Sequence, residues 1–226
     1  MRLDKFLVEC GLGSRKEVKE IISNGEITVN GEVTIINKQN IDEASDEIRF
    51  QDEILTYKKY RYYIMNKKAG YITATEDFKE RTVMELLPDW VIKKDLAPVG
   101  RLDKDTEGLL LFTNDGKLNH KLLSPKSHVD KTYYVEVEND LRTEDLISLE
   151  NGVTIDDYFT MPAQAKKIED KKLLLTIREG KFHQVKKMLE AVGNKVLYLK
   201  RISFGKLKLN NLELGEVKEV SLEDIV

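Results

Sequence analysis

The stretch "GRLDKDTEGLLL", Gly100 to Leu111, crowds three carboxylates (Asp103, Asp105, Glu107) around two cations (Arg101, Lys104) and then turns apolar. Carboxylates at the mouth of a buried strand have two uses. One is to satisfy the backbone N–H groups of a polar turn. The other is chemistry, as a nucleophile, an acid or base, or part of a metal site. The rest of the inventory narrows the second use. His120, His128 and His183 are scattered and Cys10 is the only cysteine, so no metal-ligand spacing is visible. There is no GxxxxGK[ST] loop, no GxGxxG turn opening a helix after a strand, and no GxSxG elbow. What remains is a carboxylate, a tyrosine and cations.

The elements that position these groups are read from periodicity. Leu3, Phe6, Leu7 and Cys10 repeat at i, i+3, i+4 and i+7, which predicts a short amphipathic helix broken by "GLGS", Gly11 to Ser14. Ser14 with Glu17 three residues on makes a capping box, and Val18, Ile21 and Ile22 give a second helix its apolar face. Asn24-Gly25 and Asn30-Gly31 around "EITV" predict short strands and tight turns. The first compact unit is expected to end near Lys58-Lys59, dividing the chain into 1–59 and 60–226.

Beyond Tyr60 the texture changes. "YRYYIMNK", Leu109 to Thr113, "KTYYVEVE" and "KKLLLTIREG" read as strands. "GKLNHKLLS", Arg142 to Glu150 and "HQVKKMLEAVG" read as helices, the last with Val185, Met188, Leu189 and Val192 on one face and Gly193 as its stop. Strands dominate, so the fold class is α+β with a mainly antiparallel mixed sheet and flanking helices.

The chain has 226 residues, 41% hydrophobic and 34% charged, a globular composition with a usable core. No apolar stretch approaches the roughly 18 residues that span a bilayer. "MRLDKFLVECGLGSRK" has no uninterrupted apolar segment, so no secretory signal is expected. One cysteine forms no intrachain disulfide and fits a reducing cytoplasm. Net charge is −3, yet it is unevenly spread. Glu26 to Glu53 carries eight acids against two bases, and Arg178 to Lys208 nine bases against two acids. A segregated basic segment is a candidate nucleic-acid footprint, or a solvated helix face with charged loops.

Two resemblances sharpen this reading. "MRLDKFLVECGLGSRKEVKEIISNGEITVNGE" resembles the S4 RNA-binding domain. That likeness implies a helix pair presenting Lys5, Arg15, Lys16 and Lys19 to folded RNA. "GRLDKDTEGLLLFTNDG", "KTYYV" and "REGKFHQVKKMLEAVGNKVLYLKR" resemble, in that order, the motifs of RNA pseudouridine synthases that carry an S4 domain and modify ribosomal RNA. The resemblance covers nearly the whole chain. It implies an S4-like domain followed by a pseudouridine synthase catalytic domain. It also implies isomerisation of a uridine, in which the C1′–N1 bond is broken and a bond to C5 made, with no cofactor.

By the same resemblance Asp103 is the nucleophile, although attack on sugar or on base is not distinguished. Asp105 is read as a turn residue. Lys186 matches the basic residue near the aspartate, where many relatives outside this branch have arginine. Burial raises a carboxylate's pKa, and a nearby cation opposes the rise. Tyr133 matches the active-site tyrosine, able to stack on a flipped base, while Tyr134 alternates to the other face. Arg101 is implied to approach the RNA where the base leaves its stack. Lys200, Arg201, Lys206 and Lys208 are read as a basic tail contacting phosphate.

"MRLDKFL" and the lysine in "HQVKKM" resemble the small-subunit (16S) branch. The large-subunit (23S) branch, a non-catalytic RNA-binding assembly factor and a metal-dependent nuclease built on Asp103, Asp105 and Glu107 are the rivals. The expected partner is ribosomal RNA or a pre-ribosomal particle. No membrane and no small-molecule cofactor are expected, and the chain is expected to act as a monomer in the cytoplasm.

Overall fold

The computed structural model describes every residue, Met1 to Val226. The chain forms two compact units, Met1–Tyr60 and Arg61–Val226.

In the first unit, helix α1 (Leu3–Glu9) buries Leu3, Phe6 and Leu7, and Cys10 caps its end. Helix α2 (Arg15–Ser23) opens on the expected box: the Ser14 side chain accepts from Glu17 N, and Glu17 Oε2 accepts from Ser14 N at 2.6 Å. Strands β1 (Ile27–Val29), β2 (Glu32–Thr34), β3 (Ile48–Phe50) and β4 (Glu53–Ile54) make an antiparallel sheet in the order β2-β1-β3-β4. Asn30 (φ 53) and Gly31 (φ 84) turn β1 into β2, as a two-residue hairpin of this hand requires. Val18 and Ile22 of α2 and Ile27 and Ile48 of the sheet close the core over α1.

The second unit is built from strands β5 (Tyr62–Lys67), β6 (Ala97–Val99) and β7 (Glu107–Thr113), helix α3 (Gly116–Leu123), strand β8 (Lys131–Val137) and helix α4 (Thr143–Asn151). There follow the hairpin β9 (Thr154–Ile155) and β10 (Tyr158–Phe159), strands β11 (Gln164–Glu169) and β12 (Lys172–Ile177), and helix α5 (Gln184–Ala191). Strands β13 (Val196–Phe204), β14 (Leu207–Lys208) and β15 (Val217–Glu219) and the short helix α6 (Leu222–Ile225) end the chain. The main sheet runs β11-β12-β8-β13-β7-β5-β15, with β6 on β7 and β14 on β13. Only the β13–β7 pairing is parallel.

Two apolar layers explain the sequence texture. Residues such as Tyr63, Met65, Leu110 and Phe112 face a core shared with Val185, Met188 and Leu189 of α5. Tyr62, Ile64, Leu109 and Leu111 face a second core under Leu118 and Leu122 of α3. Strands β5 and β7 are thus covered on both faces, so they read as unbroken apolar runs. In contrast β8 and β12 alternate buried and half-buried residues, because one face stays open.

Candidate active site

The polar loop Gly100–Thr106 feeds β7, and neighbouring backbone and side chains pin it. Lys67, at the end of β5, is fully buried. Its Nζ donates to the carbonyl oxygens of Lys68 (3.1 Å), Asp103 (3.1 Å), Lys104 (3.4 Å) and Thr106 (2.8 Å). Burial pushes this ammonium down to about 8, against the opposing charges of Asp105, Glu107 and Asp103. Thr73 Oγ1 clamps Leu102, donating to its carbonyl at 2.7 Å and accepting from its N–H at 3.1 Å. Gly70 N donates to Lys104 O at 2.7 Å. Asp103 is therefore fixed through its backbone. Its side chain stays 28% exposed and lines a cleft of about 870 Å³.

Helix α5 brings the cation. Lys186 Nζ is 3.4 Å from Asp103 Oδ2, and it donates to both oxygens of Asp105 at 2.7 and 2.8 Å. Lys186 thus meets Asp103, as the sequence implied, but bonds Asp105 more closely. Burial pushes the Asp105 carboxyl up, and the Lys186 hydrogen bond and charge outweigh it, leaving the group below its usual value. Beside them His183 Nε2 is 3.6 Å from Asp103 Oδ1. Glu107 points elsewhere and accepts from Tyr198 Oη at 2.6 Å. Asp103 and Asp105 converge on the Lys186 ammonium while Glu107 turns away, so the three carboxylates of the loop do not gather into the cluster a two-metal nuclease needs.

Tyr133, on β8, is buried and lines the same cleft, and Tyr134 lies on the other face, edge-on to Tyr198. Arg101 is exposed at the cleft and makes no bond to its own loop, so its guanidinium is available. Lys131 lines the cleft near Tyr133. Its Nζ donates to Val129 O at 2.9 Å, and burial together with the Arg201 charge pushes it down to about 8.

One expectation is corrected. The basic tail is not a tail: Lys200 and Arg201 lie in β13, between β8 and β7. Strand alternation sends them to opposite faces. Arg201 is 2% exposed, donates from Nε to Leu109 O at 2.8 Å and has no partner for Nη2. It forms part of the cleft lining rather than an outer phosphate-contacting surface. Lys200 is half-buried on the face away from the cleft, beside Tyr134 and Tyr198. In the first unit Lys5 on α1 and Arg15, Lys16 and Lys19 on α2 are all exposed.

Lys67, Lys131 and His183 were not singled out from the sequence. A lysine closing the apolar run "YYIMNK" was the available signal for the first, because lysine is almost never fully buried without partners.

Comparison with known proteins gives this arrangement its family. Residues 61–191 match the RNA pseudouridylate synthase family and residues 1–54 the S4 domain. An RNA pseudouridine synthase of Bacillus subtilis (strain 168), itself described as uncharacterized, is 46% identical, over 100% of this chain and 97% of its own length. The chain belongs to the RNA pseudouridine synthases. Ribosomal small subunit pseudouridine synthase A of Vibrio cholerae is 38% identical to this synthase over 100% of this chain and 98% of its own. Ribosomal large subunit pseudouridine synthase B of Bacillus subtilis is 36% identical over 99% and 93%. The crystal structure of a pseudouridylate synthase superposes with a TM-score of 0.69 at 33% identity, covering 99% of this chain and 97% of that one. The expected order, an S4 domain followed by a pseudouridine synthase domain, is met.

Proposed function

We propose that this synthase converts one uridine of small-subunit (16S) ribosomal RNA to pseudouridine, with Asp103 as the nucleophile. The observation that carries the reading is the placement of Asp103: a carboxylate with a pinned backbone, open to a cleft, with Lys186 Nζ at 3.4 Å. The carboxylate supplies covalent catalysis while the C1′–N1 bond is exchanged for C1′–C5. The hydrogen of C5 leaves and N1 gains one, so atoms balance without redox chemistry or a cofactor. Tyr133 offers a ring for the flipped base, and Lys186 offers charge beside the reacting carboxylate. Arg101 enters the gap the base leaves. Lys5, Arg15, Lys16 and Lys19 bind phosphate on folded RNA.

Small-subunit RNA is favoured by full-length likeness to synthases of that name from several bacteria. The substrate is the RNA or a pre-ribosomal particle, and the protein works as a monomer in the cytoplasm. Mapping pseudouridine in both ribosomal RNAs from cells lacking the protein tests the reading. One site should disappear from the small-subunit RNA. A lost site in the large-subunit RNA instead would move the assignment to the branch of the 36% identical synthase B. Intact sites in both would contradict an rRNA substrate.

A further inference from the structure

Between β12 and α5 the chain crosses the rim of the cleft. Phe182 sits there 73% exposed. The ring is ordered by a partner, because it stacks on His183 with centroids 3.8 Å apart and planes 20° apart. His183 holds a left-handed backbone (φ 52), uncommon without glycine and concentrated at functional sites. Its Nε2 is 3.6 Å from Asp103 Oδ1. The stacked pair therefore stands one ring away from the carboxylate. Lys187 Nζ lies 5.2 Å from the Phe182 ring centre and is paired with Asp156, while the preceding Lys181 places its Nζ 4.1 Å from the ring centre of Tyr158 on β10. Tyr158 and Lys181 line the same cleft.

The fold does not explain Phe182, since most of its surface is in water. The chemistry of uridine isomerisation does not use it either. Its surroundings describe a ligand with a flat π face and an attached negative charge. An unpaired nucleobase and its phosphate have both. Such a base arises when a target nucleotide turns out of the RNA stack, because its neighbour loses a stacking face.

We propose that Phe182 is a stacking platform for the unpaired base next to the target uridine, with His183 backing the ring and Lys181 meeting the adjoining phosphate. The inference rests on the reading that the Asp103 end of the cleft receives the target uridine.

The test uses the full chain and an rRNA fragment that the parent protein modifies, read by tritium release from [5-³H]uridine. Turnover of the intact fragment by the parent reports on the underlying reading, and the variants report on the platform. Phe182→Ala should raise KM by roughly 5- to 150-fold, the range for removing one base–aromatic stack, while kcat stays within about twofold. Phe182→Trp should restore most of the affinity. Abasic sites placed in turn on either side of the uridine supply the second axis. One of them should weaken the parent as much as Phe182→Ala does, and should cost the Phe182→Ala protein little more. A Phe182→Ala protein with parental KM, or one whose loss multiplies independently with every abasic site, overturns the platform.

Discussion

At the scale of single residues, Lys186 is shared between two carboxylates, and that division sets what its removal does. Lys186→Met takes away the ammonium 3.4 Å from Asp103, and should lower kcat far more than RNA affinity. Lys186→Arg keeps the charge with a planar fork and should retain part of the rate. Single-turnover rates and binding curves check both; equal losses in kcat and affinity for Lys186→Met would contradict a role beside the reacting carboxylate. Lys67 is a different case. Lys67→Met takes the buried donor from three loop carbonyls and from that of Lys68, which should cost about 1–3 kcal/mol of stability and slow turnover by loosening the Asp103 loop. The pH dependence follows. Lys67 and Lys131 both hold protons only to about pH 8 in the folded protein, against 10.5 ordinarily. Between these values the unfolded chain binds more protons, so these groups alone make stability rise with pH. Activity goes the other way: kcat/KM should fall through pH about 8 as the loop's donor loses its charge and one of its three N–H groups, and the cleft loses a cation. A profile flat to pH 10 would contradict this. Asp103 and Lys186 were legible because their motifs fix them in order. Lys67 was not, since its role lies in three carbonyl oxygens that only the folded loop brings to it.

Elements were legible wherever one face is buried and the other wet. Helices α1, α2 and α5 follow from their apolar spacing, and the α2 capping box from Ser14 and Glu17 alone. Strand β13 was missed because its bases suggested a phosphate-contacting tail, whereas the two long strands that flank it, β8 and β7, are distant in sequence. No local pattern announces that β8 and β7 will flank it. Its closeness to β7 carries a prediction. Gly108 sits opposite Arg201 with φ 105, and a Cβ there would lie 2.2 Å from Arg201 O, a backbone atom unable to swing aside. Gly108→Ala should cost about 1–3 kcal/mol or more, seen as a fall in Tm of roughly 2–4 °C per kcal/mol. An unchanged Tm would mean that β7 and β13 separate easily, and the cleft lining with them.

For the whole molecule, the texture of the sequence changes near Lys58 to Tyr60, while the strand order of the large sheet came only with the structure. The acidic net charge hides the exposed cations of α1 and α2, which are outweighed elsewhere. Replacing Lys5, Arg15, Lys16 and Lys19 together by glutamine should lower kcat/KM on rRNA with little change in kcat. The dependence of log K on log salt should become shallower by roughly 0.7–0.9 for each phosphate that is no longer neutralised. Unchanged slopes would assign the S4 domain another partner. The central claim, that this pseudouridine synthase isomerises uridine through Asp103, is tested most directly by tritium release from [5-³H]uridine-labelled rRNA. The parent protein should release tritium without cutting the strand. Asp103→Asn should bind the RNA within a few fold of the parent and release none. Release by Asp103→Asn above about a hundredth of the parent rate, more than the loss of a covalent nucleophile allows, would contradict the account.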